Sequence, residues 1–83
     1  MVFTVRLSEL AQGADSVVQH VEDVTATDPI ARRLRDLGFV NGEAVRLVGR
    51  GPIGADPLLV QIGYTRFALR QTEAARVIVE PGT

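Results

Sequence analysis

His20 is the only histidine in the chain; Glu22 follows two residues later, with Asp23 beside it. An imidazole and a carboxylate at i and i+2 of a strand share one face. They supply two ligands of the kinds that zinc or ferrous iron accepts. Two ligands do not close a site, so a third would have to come from another loop carboxylate or from a second chain. The plainer alternative is a partly exposed strand histidine with no ligand duty. The chain has no cysteine, which removes thiolate zinc clusters, iron–sulfur centres, disulfides and cysteine nucleophiles. Transition-metal chemistry, where present, falls on His20 and carboxylates, and no cofactor is required by the pattern.

Catalytic constellations are absent. Ser8 and Ser16 lack neighbours that would activate a hydroxyl, and a hydrolytic triad would need an oriented His20 and an oxyanion hole. Gly49-Arg50-Gly51-Pro52-Ile53-Gly54 matches G-x-G-x-x-G. A dinucleotide site would need that motif to open a helix, whereas Pro52, Pro57 and the alternating residues that follow lead into another strand. The segment therefore reads as a wide hairpin loop, and the chain as a non-enzyme.

Nine arginines and no lysine face ten carboxylates, for a net charge of −1. That balance lacks the basic footprint on which nucleic-acid binding rests. Arg32 has Asp28 and Asp36 four residues to either side, the spacing of a helix-face ion pair. Leu59 falls on the outer side of a strand whose Leu58, Val60 and Ile62 turn inward. With Ile53 and Val48 it would make an exposed apolar patch of the kind that marks a partner surface; cover by the helix or the N-terminal segment is the competing reading.

These residues sit on recognisable elements. Asp15 to Asp23 reads as a strand. Asp28 is an N-cap, Pro29 fits the first helical position, and Ile30, Leu34 and Leu37 make one apolar stripe closed by Gly38. Alternation over Val45–Leu47, Leu58–Ile62 and Phe67–Leu69 marks three strands, and Val77–Val79 a last one. Ser8-Glu9-Leu10 predicts one helical turn, and Thr72 would cap another over Glu73–Arg76. The fold expected is mainly β: one domain over 1–83, a small antiparallel SH3-like barrel of about five strands with one α-helix across one end. No secretory leader or apolar membrane span is visible, so the expected compartment is cytoplasmic, without membrane insertion.

The blocks Leu7-Ser8-Glu9-Leu10, Arg33-Leu34…Leu37-Gly38-Phe39…Gly42, Gly51-Pro52-Ile53-Gly54…Asp56-Pro57-Leu58 and Ala68-Leu69-Arg70…Glu73-Ala74 resemble the FeoA family. Ala55, between Gly54 and Asp56, departs from the family's usual loop. The resemblance implies a small cytosolic accessory of bacterial ferrous iron uptake that contacts the cytoplasmic part of the membrane transporter FeoB. The same domain type occurs behind DNA-binding domains in metal-dependent repressors; with Met1 close to the domain, the stand-alone form is expected. Expected partner-binding residues are Gly51, Pro52, Ile53, Gly54, Asp56, Pro57 and Leu59, with Arg32, Arg33 and Arg35 on the helix face. The alternative function is a sensor or carrier in which iron or zinc at His20 and Glu22 drives formation of a homodimer.

Overall fold

The computed structural model describes residues 3–82, the side chain of Ile53 excepted. The strands are β1 (Val5–Arg6), β2 (Asp15–Val21), β3 (Ala44–Ile53), β4 (Asp56–Ile62), β5 (Thr65–Leu69) and β6 (Val77–Pro81). Helix α1 spans Pro29–Asp36, the single-turn α2 spans Gln71–Ala74, and a 3-10 turn covers Leu7–Glu9. Every pairing is antiparallel, in the order β1-β6-β2-β3-β4-β5. The expected mainly-β, SH3-like class holds, with two differences. The described residues form six strands rather than about five, the additional one being β1, which at two residues is too short to show an alternation. The sheet is open rather than closed into a barrel, leaving β1 and β5 as its edges.

The core lies between this sheet, α1 and the N-terminal turn, around fully buried Leu7, Leu34, Phe39, Leu47, Leu58 and Val79. Phe39 packs behind the helix end, its ring 6.1 Å from that of Phe67. Strand β2 does not alternate strictly, Val18 and Val21 both being buried. Val17 is exposed and Val18 buried, since the register against β6 shifts between Val18 and His20. Such a bulge switches which side chains face inward.

Asp28 caps α1 as its sequence position predicts, accepting from the amides of Ile30 (3.0 Å) and Ala31 (3.3 Å). It does not pair with Arg32. Its second oxygen accepts instead from Arg76 Nε at 2.8 Å and from the Val24 amide at 3.0 Å. The expected cap of the second turn is also displaced. Arg70, not Thr72, is the cap residue, and Glu73 Oε1 reaches back to accept from its amide at 2.9 Å. The same Glu-at-N3 device closes the first turn, where Glu9 accepts from the Arg6 amide at 2.8 Å.

Candidate functional site

The segment expected to be a wide loop is a tight hairpin. Strand β3 runs on to Ile53 and pairs with Asp56, leaving Gly54 and Ala55 as a two-residue turn with φ of 62° at both. Two successive left-handed residues match the twist of the flanking strands, which is why hairpins favour this turn. Sequence periodicity misses the pairing because the register shifts twice, between Leu47 and Gly49 and again between Arg50 and Ile53. Arg50 is drawn under the sheet by the first shift, and its guanidinium donates to the carbonyls of Ser8 (2.8 Å) and Leu10 (2.9 Å).

Gln71 anchors the hairpin to α2. Its amide donates to Asp56 Oδ1 at 3.0 Å, and its side chain to the Gly54 carbonyl at 3.3 Å. Where hairpin, β5, α2 and α1 meet there is a shallow concavity of about 580 Å³, lined by Arg33, Asp56, Pro57, Ala68, Arg70 and Glu73. Arg33 Nη1 donates to Glu73 Oε2 at 3.2 Å across its rim. Beside it Leu59, 36% exposed, is opposite Gly49 on one neighbouring strand and Ala68 on the other. Neither neighbour has the bulk to cover it. Pro57, Leu59 and Ala68 thus make an apolar strip on the outer face of the sheet, with exposed Arg66 and Arg70 on β5 and its end.

The structure brings together Arg33, Asp56, Pro57 and Leu59 of the expected partner-binding residues. Gly51, Pro52 and Gly54 belong to the hairpin that carries Asp56 and Pro57, while the side chain of Ile53 lies outside the described part. Arg32 and Arg35 border a different hollow, which Arg33 also lines. There Arg35 clamps Asp23 with contacts of 2.6 and 3.1 Å and donates to the Val21 carbonyl at 2.7 Å. That clamp holds the Asp23 carboxyl below its usual range and the Arg35 guanidinium above its own. Arg35 thus fastens the exit of β2 to the helix, whereas Arg32 makes no ion pair among the described residues. Ala68 and Arg70 were missed by sequence reasoning, although the register of β5 against β4 places them beside Leu59 and Pro57.

His20 is exposed at the margin of a third hollow, with Val40 and Asn41 among its lining residues. Glu22 lies just past the end of β2, and its Oε1 accepts from Arg6 Nη1 at 3.2 Å. Among the described residues no three His, Asp or Glu side chains gather in a way that could hold a metal ion. A site at His20 would have to recruit ligands from elsewhere. No helix among the described residues is long and apolar enough to cross a membrane.

An open six-stranded antiparallel sheet, with α1 and the short α2 beside it and a tight hairpin arm next to an apolar strip, defines a small SH3-like β domain among the described residues. The chain belongs to the FeoA domain family, whose profile matches residues 5–81, a family implicated in ferrous iron transport. It is similar to Stenotrophomonas maltophilia FeoA, a prokaryotic SH3 domain protein crystallised with zinc. The two are 59% identical over 92% of this chain and 89% of that one, with a TM-score of 0.85. FeoA protein from Chlorobium tepidum is 32% identical, covering 95% of this chain and 71% of the other, with a TM-score of 0.80. A manganese-dependent transcriptional repressor shares the fold at 18% identity and a TM-score of 0.83, covering 99% of this chain but 44% of the repressor. No curated protein matches the chain.

Proposed function

We propose that this chain is a non-enzymatic accessory of ferrous iron uptake that docks on the cytoplasmic part of the membrane transporter FeoB. The observation that carries the reading is the uncovered strip Pro57–Leu59–Ala68, set beside the Arg33 rim. An apolar centre flanked by charge is the usual anatomy of a protein contact: the apolar part supplies affinity, the charges orientation. Family membership and the relative crystallised with zinc point to the iron system. Titration of the purified cytoplasmic part of FeoB with the wild-type chain is expected to show saturable binding. Leu59→Asp combined with Arg33→Glu is expected to weaken it by roughly tenfold to a hundredfold. Unchanged affinity in a double variant that keeps its melting temperature would refute this surface.

A second reading is favoured by the zinc complex of the 59%-identical relative. Here His20 and Glu22 would hold a divalent transition metal together with ligands from a second copy, and the metal would supply the link that joins the two copies. Light scattering with added zinc or ferrous iron is expected to show a dimer that His20→Ala abolishes. A chain that stays monomeric at saturating metal removes the reading.

A further inference from the structure

We propose that the free edge of β5 accepts an extended acidic segment of a partner protein as a seventh strand. This rests on the docking reading above and specifies its chemistry. Strand β5 ends the sheet order, and its five residues pair with β4 in unbroken register, Thr65↔Ile62 through Leu69↔Leu58. Among the described residues, no backbone group of 65–69 bonds to anything beyond β4. Folded proteins usually blunt such an edge with a bulge, a proline, charged side chains or extreme shortness. Shortness protects the opposite edge, since β1 has two residues; β5 carries neither proline nor bulge.

Charge selects the occupant. Residues 64–70 read Tyr-Thr-Arg-Phe-Ala-Leu-Arg, with two guanidinium groups and no carboxylate. Five other arginines have carboxylate partners, but neither Arg66 nor Arg70 has one within 4 Å among the described residues. A second copy of β5, paired antiparallel about Phe67, would set Arg66 diagonal to its own equivalent. It would bring four arginines together on one face, and like charges brought together across a strand pair destabilise a sheet. An acidic strand does the reverse. Side chains alternate, so acids at every second position would lie beside Arg66 and Arg70 on the outer face. Small apolar residues between them would fall beside half-buried Phe67 and buried Leu69. Backbone ladder bonds over about 17 Å of strand would supply the affinity, and the acids the selectivity.

The test titrates the full chain with a seven-residue peptide alternating glutamate and valine, read by amide hydrogen exchange. Exchange within 65–69 is expected to slow by about tenfold or more at saturation, and binding to weaken as salt rises. Arg66→Glu with Arg70→Glu, and separately N-methylation of alternate peptide amides, are each expected to weaken binding by roughly tenfold. Unaltered exchange at 65–69, indifference to N-methylation, or peptide-free protection of β5 that grows with protein concentration would overturn strand addition. The same readout with the cytoplasmic part of FeoB separates the two proposals. Binding that leaves 65–69 unprotected overturns strand addition and keeps docking. No binding, with the peptide still adding to β5, overturns docking and keeps strand addition.

Discussion

Replacing Asp28 with alanine is expected to lower the melting temperature by on the order of 10 °C. The side chain is 3% exposed, and its two oxygens accept four hydrogen bonds. Two cap α1, one closes the loop from Val24, and one holds Arg76 between α2 and β6. Truncation would leave a helix end, a loop amide and a guanidinium unsatisfied together. The pH dependence has a definite sign. The Val24 amide first, and then Arg76, hold the Asp28 carboxyl down at about 2, against 3.8 for the ordinary group. A carboxyl depressed by folding stabilises the native state above its unfolded value, and that contribution disappears as pH falls from 3.8 through about 2. Asp28→Asn should keep the cap but flatten this acid limb. Thermal melts between pH 2 and 7 check both expectations, and an Asp28→Ala melting temperature within 3 °C of wild type would contradict the first.

Asp28 also shows how far the sequence could be read. Its role as a cap depends only on Pro29 and the stripe of Ile30, Leu34 and Leu37, which are local, and it was legible. Its partner was not. Arg32 is the obvious candidate at i+4, yet Arg76 wins from 48 residues away, because packing β6 against β2 brings the chain after α2 up to α1. The same division runs through the candidate site. Leu59 could be placed outside from the alternation of Leu58, Val60 and Ile62. The small residues that leave it bare, Gly49 and Ala68, needed the register of two pairings, one of them broken by shifts. The SH3-like class follows from strand count and connection lengths, whereas the open edge at β5 depends on closure, which periodicity does not encode.

Gly51→Ala is expected to cost about 1–3 kcal/mol and to abolish the proposed docking with it. A Cβ at Gly51 would collide with the Asp56 carbonyl group, its carbon 2.7 Å away, and with Pro57 Cδ at 2.8 Å. These obstacles are backbone and a ring, so no flexible side chain can swing aside, and the two arms of the hairpin must separate. Displacing Asp56 removes the acceptor for the Gln71 amide, which frees α2 from the hairpin and with it the Arg33–Glu73 rim. Pro57 moves as well, so the apolar strip loses one end. Glycine at 51 is thus a condition of the surface rather than of a flexible loop. Gly49→Ala is the control: the nearest atom to its Cβ is the Gln12 side-chain nitrogen at 4.0 Å, so it adds a methyl group to the same strand in open space. Melting temperature and FeoB affinity measured on both variants decide the matter. Gly51→Ala should fall in both while Gly49→Ala keeps its melting temperature, whereas equal melting temperatures of the two would mean that the close approach of β3 to Asp56 is not what builds the site.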